Sequence, residues 1–235
     1  MQKRVVRVRP RWIRVGAPSA AAREYCNALR WWHATLEAGV AVPLAPRLVF
    51  PQIGEPGCLF VFTDAAREGG TGFGGFTVVE ERGDKVAKFL FVQNSWDSRT
   101  LGRLQRDEWS MPAGEMFGAA MIIAAVARRL PRLTHVVCFS DSVSAAYAVT
   151  TGNSSAPQLN VIIRQLQSWV VGVQLIGVHQ PGVRNGVSDG LSRGRLGEVL
   201  SSLHSVGLRP ERLPLVEGWE ALMEASQCQP TRSAS

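Results

Sequence analysis

Cys58-Leu59-Phe60-Val61-Phe62-Thr63-Asp64 is a continuous apolar run that closes on a carboxylate. Its length and its aromatic and β-branched content predict a buried strand. A second run of the same kind, Thr134–Phe139, is followed at once by Ser140 and Asp141. Downstream of the first run, Thr71–Glu80 and Lys85–Gln93 read as two more strands, joined through a hairpin turn at Arg82-Gly83-Asp84. Pro112–Leu130 reads as a long helix, with Ser110 at its cap, Pro112 in its first turn and Pro131 beyond its end. After the second apolar run come a short helix from Asp141 to Thr150, a helix over Gln158–Val170, a strand over Val173–Val178 and a final short helix over Asn185–Arg193. The first three strands can form an antiparallel meander. The last two need helical crossovers and so lie parallel. The expected fold is therefore α/β, a five-stranded mixed sheet (three antiparallel strands, then two parallel) flanked by helices.

Outside this block the chain is different. Residues 1–57 carry nine Lys/Arg against three Asp/Glu, a net +6, whereas residues 58–235 carry 17 against 16. Six of the cations fall between Lys3 and Arg14. A basic arm suits a polyanionic partner such as nucleic acid. The absence of any acid before Glu24 is also the composition of an organelle transit segment. Ala20–Ala38 predicts a helix with Tyr25, Leu29, Trp32 and Leu36 at helical spacing. The domain reading is an arm and connector helix over 1–57, a catalytic-type domain over 58–197, and a partly helical extension over 198–235 that includes a helix at Trp219–Ala225. The apolar stretch Gly118–Val126 is too short to span a bilayer, no secretory leader is visible, and no membrane partner is expected. Cys26, Cys58, Cys138 and Cys228 form no CxxC pair and read as reduced thiols, so the expected location is intracellular, in cytoplasm or nucleus.

Four carboxylates occupy unusual positions. Asp64 ends the first strand, Glu115 falls in the first turn of the long helix, Asp141 follows the fourth strand, and Asp189 lies in the last short helix. Taken one at a time, each has an ordinary explanation as a turn residue, a helix-dipole partner or a helix-initiating residue. Taken together, they can converge at one edge of the sheet. Like charges so close need a cation. Magnesium, a hard ion with oxygen ligands, fits a site shared with substrate phosphate, and a pair of such ions supports phosphodiester hydrolysis.

The chain resembles the RNase H domain of retroelement reverse transcriptases, especially DIRS-like and gypsy-like elements, within the RNase H-like superfamily. The resemblance is carried by Phe62-Thr63-Asp64-Ala65-Ala66 with Gly72-Phe73-Gly74, by Ser140-Asp141-Ser142, and above all by the stretch from His179-Gln180-Pro181-Gly182 through Asn185 and Asp189 to Leu191-Ser192-Arg193. It covers residues 58–195. More weakly, Leu29–Leu48, with Trp31-Trp32, is similar to the segment that joins polymerase to RNase H. The sequence departs from the family pattern at Ala66, at Gly118 (where Ala usually stands), at Ser142, and in two extra residues between Asp64 and the glycine turn.

The resemblance implies an endonuclease that cuts the RNA strand of RNA/DNA hybrids. Asp64, Glu115, Asp141 and Asp189 would be the catalytic acids and the ligands of two Mg2+ ions, with Mn2+ as a substitute. His179 would shuttle protons or assist product release. Ser142, Arg184, Asn185 and Arg193 would lie against the nucleic acid, and Asn185 is also expected to cap the last helix. A reverse transcriptase polymerase domain is a further implied partner. Trp96 and Trp109 are aromatic candidates for base stacking, although core packing is the commoner fate of Trp. The rival reading is a catalytically silent nucleic-acid-binding or scaffolding module from a decayed element, since fold does not fix function. The presence of all four acids favours the enzyme. The spacer between Gly152 and Gln158 leaves no room for an inserted basic helix.

Overall fold

The computed structural model describes residues 57–68, 71–80 and 87–228. The basic arm, the connector helix, the Arg82-Gly83-Asp84 turn and the last residues of the extension lie outside the described residues. Three strands open the domain: β1 (Cys58–Ala65), β2 (Gly72–Val79) and β3 (Lys88–Ser95). Helices α1 (Ser98–Gln105) and α2 (Met111–Arg129) follow, then β4 (His135–Ser140), α3 (Val143–Thr151), α4 (Pro157–Trp169) and β5 (Gln174–His179). The chain continues through a 3-10 turn at Gly182–Arg184, α5 (Gly186–Ser192), α6 (Leu196–Ser205), β6 (Arg209–Arg212) and α7 (Trp219–Gln227).

The sheet order is β5-β4-β1-β2-β3-β6. Strands β1, β2 and β3 pair antiparallel, while β4 joins β1 and β5 joins β4 in parallel. This is the mixed α/β arrangement expected, with one addition. Among the described residues the sheet has six strands rather than five, because Arg209–Arg212 adds in parallel to the edge of β3. That strand and α7, whose Leu222 and Met223 enter the main core, fold residues 198–228 into the same packed unit as the rest.

Register decides where the acids fall. Phe62 of β1 lies level with Phe139 of β4. Asp64 and Asp141, each two residues further along parallel strands, therefore leave the sheet at the same level. In β5, His179 lies level with Ser140, next to Asp141.

One face of the sheet is covered by α2, α3, α4 and α7, and the other by α5 and α6. Every residue of α2 from Ala113 to Val126 is buried, because the helix lies between β1–β2 and α4. A helix apolar on all sides is one packed on all sides. This helix is long and apolar enough to cross a membrane by length and composition alone, yet its apolar surface is spent on the sheet and its neighbours. Gly118 sets the depth of packing. A Cβ there would lie 3.1 Å from Thr63 Oγ1 and 3.3 Å from Phe73 Cβ, so the absence of a side chain lets the helix settle onto β1. Trp96 and Trp109 meet edge-on with centroids 5.3 Å apart inside the core. They are core residues and not exposed stacking surfaces.

Candidate active site

Past the last parallel pair, β1 carries backbone groups that β4 no longer reaches. Two side chains satisfy them. Glu115 Oε1 accepts from the Ala65 N–H at 3.0 Å, and the Asn185 amide donates to the Thr63 carbonyl at 2.8 Å. The end of β1 is thus braced by α2 on one side and by the start of α5 on the other. Glu115 is the fifth residue of α2, one position beyond the first turn where sequence reading placed it. A helix-dipole role, which fades within the first turn, does not account for it.

This bracing brings three acids together. Among the described residues, Asp64, Glu115 and Asp141 each offer a carboxylate oxygen, and these oxygens all lie within 4.8 Å of one another. Asp64 and Glu115 are 5% and 4% exposed. Burial raises the Asp64 carboxyl from 3.8 to about 7, with Asp141 and Asp189 adding to the rise while the Ser192 hydroxyl and Arg193 oppose it. Burial, reinforced by Asp64 and Asp141, pushes Glu115 well above the usual carboxylate range. Asp141 is also raised, again chiefly by burial, with its own backbone N–H and His179 opposing and Asp189 adding. The second Glu115 oxygen, Oε2, is buried and has no hydrogen-bond partner among the described residues. An orphaned buried acceptor costs about 1–3 kcal/mol and asks for a missing partner. A divalent cation would both occupy that oxygen and offset the crowding of like charge, so the residues present fit the group that the sequence implies.

Asp189 does not join the three. Its Oδ1 accepts from Arg193 Nε at 2.6 Å, and its Oδ2 pairs with Arg195. Arg193 also reaches Glu68 at 3.3 Å. Asp189 still lies near enough to raise both Asp64 and Asp141, so it stands at the rim of the cluster, neutralised by cations of its own. His179 is exposed at the end of β5, close enough for its charge to favour ionised Asp141.

The substrate-side candidates divide. Ser142 caps α3, its hydroxyl accepting from the Ala145 N–H at 3.2 Å. Asn185 sits at the N-cap position of α5 but makes no capping bond. Its amide is committed to Thr63 and its Oδ1 accepts from the Ser188 hydroxyl, so the expected cap is instead a brace between α5 and β1. The reason is the unpaired carbonyl at the end of β1, which is buried and needs a donor. Arg184 is exposed beside the acids on the 3-10 turn, where a Cβ at Gly182 would lie 3.3 Å from Asp141 Oδ2.

Two residues escaped the sequence reading. Ser192, buried in α5, donates to Asp64 Oδ2, and Arg195 pairs with Asp189. Ser192 stands 128 positions from its partner, and no local pattern links the two. Cys138 lies in β4 under the cluster, where burial first and Glu115 second push its thiol up to about 12. Cys138 and Cys228 form no disulfide, and Cys26 lies outside the described residues.

No family model matches the chain, and no curated protein matches it. Among solved structures, the chain is similar to RNase H1 from the halophilic archaeon Halobacterium salinarum at 16% identity, covering 60% of this chain and 99% of that one with a TM-score of 0.42. It is similar to the N-terminal RNase H domain of a Mycobacterium tuberculosis protein at 15% identity, covering 62% and 97% with a TM-score of 0.36. It is also similar to the human cytomegalovirus terminase nuclease domain at 15% identity, covering 73% and 76% with a TM-score of 0.36.

Proposed function

We propose that the chain is a divalent-cation-dependent nuclease of the RNase H-like type, that its substrate is the RNA strand of an RNA/DNA hybrid, and that it descends from a DIRS-like or gypsy-like reverse transcriptase. The observation that carries the reading is the convergence of Asp64, Glu115 and Asp141 from three separate elements, their oxygens within 4.8 Å of one another, beside an orphaned buried Glu115 oxygen.

In this reading Asp64, Glu115 and Asp141 hold Mg2+, with Mn2+ as a substitute, and Asp189 contributes once it leaves its arginines. When bound, such ions lower the pKa of an attacking water and stabilise the leaving oxygen. The protein's own groups do the rest. His179, exposed at the end of β5 beside Asp141, accepts or returns a proton during turnover. Arg184 and Arg193 meet substrate phosphate as charge-assisted donors, while Ser142 and Asn185 act through the backbone they hold in place. A DNA-paired RNA strand is distinguished by its 2′-hydroxyls and groove shape.

The alternative, a silent binding module, draws its support from Asp189, which is paired with Arg193 and Arg195 rather than with the other acids. One assay separates the two: a labelled RNA/DNA hybrid with Mg2+ or Mn2+, beside RNA/RNA and DNA/DNA duplexes. Metal-dependent cutting of the hybrid's RNA strand alone is expected. Binding without cutting leaves the silent module, and equal cutting of RNA/RNA points to another nuclease class.

A further inference from the structure

Ser192 lies within the Leu191-Ser192-Arg193 stretch, beside the acids. It is 1% exposed and lies in the last turn of α5. Its hydroxyl reaches two acceptors, Asp64 Oδ2 and the Asp189 carbonyl at 3.0 Å. A hydroxyl has one proton to give, and an ionised carboxylate is the stronger acceptor. The bond to the Asp189 carbonyl alone would be an ordinary helical back-bond. The bond to Asp64 spans from α5 to β1.

The backbone that carries Ser192 is firmly placed. A Cβ on Gly74 would lie 2.9 Å from the Ser192 nitrogen and 2.3 Å from Leu191 Cβ, so α5 rests directly on β2 where β2 pairs with Asp64. Asn185, at the other end of α5, is bonded to Thr63. The helix is therefore pinned to the end of β1 at two points, on either side of Asp189. A carboxylate whose one oxygen is held by a fixed donor has its other oxygen aimed.

We propose that Ser192 is a positioning residue for the cation site: it fixes one oxygen of Asp64, turns the other toward Glu115 and Asp141, and couples Asp64 to the helix that carries Asp189. The inference rests on the cation-site reading above and adds a residue to it.

The test is Mn2+ binding to the full chain, followed by spin resonance of the free ion, together with hybrid cleavage across a Mn2+ titration. Ser192→Ala is expected to weaken Mn2+ binding about 10–100-fold, as loss of a group that orients a ligand does. The Mn2+ concentration for half-maximal cleavage should rise by the same factor, the KM for hybrid should stay unchanged, and saturating Mn2+ should return kcat toward the parent value. Ser192→Cys keeps the size and a weak donor and should fall between the two. If Ser192→Ala does not fold, the cysteine variant carries the same comparison. Parental Mn2+ affinity in a folded variant overturns the proposal while leaving the cation site intact. Failure of the parent itself to bind Mn2+ overturns the cation-site reading and the role of Ser192 with it.

Discussion

In metal-free protein, replacing Asp64 with Asn should stabilise the fold, and by an amount that depends on pH. The Asp64 carboxyl rises from 3.8 to about 7 because its charged form is buried among other acids. A carboxyl raised in the folded state binds more protons there than in the unfolded chain, so stability is greatest below the unfolded value and is lost as pH climbs through the folded one. The window runs from about pH 4 to about pH 7. Moving a carboxyl from 3.8 to about 7 corresponds to about 4 kcal/mol. For a chain of this size that is a difference in Tm on the order of 10 °C. Asn keeps an acceptor for the Ser192 hydroxyl and has no charge to bury. Thermal melts of parent and Asp64→Asn in EDTA should therefore coincide near pH 4, separate steadily up to about pH 7 and stay apart at pH 8, with the variant melting higher. Added Mg2+ or Mn2+ should raise the parent at pH 8 and leave the variant nearly unmoved. A parent as stable as the variant at pH 8 in EDTA would falsify the claim that Asp64 is held as a strained, cation-seeking carboxylate.

Four further outcomes are expected. Asp141→Asn should abolish hydrolysis and leave hybrid affinity within a few-fold of the parent, because Asn matches the size of Asp without its charge; cleavage at the parental rate in a gel assay would remove this acid from the site. His179→Ala should slow turnover by up to the ~10²–10⁴-fold typical of a lost proton-transfer group without abolishing it, as measured by single-turnover kinetics; complete loss would mean that the imidazole does more than move a proton. Gly74→Ala should destabilise the protein by about 1–3 kcal/mol and lower activity, because its Cβ would lie 2.3 Å from Leu191 Cβ and push α5 off the sheet; an unchanged melt and rate would show that α5 can move freely. Deleting Met1–Arg14, which removes six cations, should weaken hybrid binding and flatten its salt dependence, each lost phosphate contact reducing the slope by somewhat under ~1; identical salt titrations would assign the arm another purpose.

The central strands were legible because their apolar runs are long and end abruptly on acids, and the long buried helix because proline punctuates both its ends. The pieces that escaped are those whose stability comes from partners rather than pattern. Arg209–Arg212 contains a proline and three charged residues and reads as loop. It is a strand because Arg209 follows the edge of β3 and because Glu211 pairs with Arg129 at 3.0 Å and Lys88 at 3.7 Å. Helix α1 buries only Thr100 and Leu104, too little for a periodic pattern to emerge. At the site, the positions of Asp64, Asp141 and His179 follow from strand register and could be read in advance. The pairing of Asp189 with Arg195 and the bond from Ser192 to Asp64 could not, since each depends on how α5 docks, and that is set by a glycine on another strand. Residue type and position at the start of the last short helix make Asn185 a cap candidate. Its tertiary bond to Thr63 overrides that local preference, because an unsatisfied buried carbonyl costs more than an uncapped turn at the protein surface.

The central claim is that Asp64, Glu115 and Asp141 form a cation centre. Anomalous diffraction from crystals grown with Mn2+ tests it directly. A peak between these three carboxylates, with oxygen contacts of about 2.0–2.2 Å as for a hard divalent ion, is the predicted result. A map with Mn2+ bound elsewhere on the protein and none among the three acids would contradict the account.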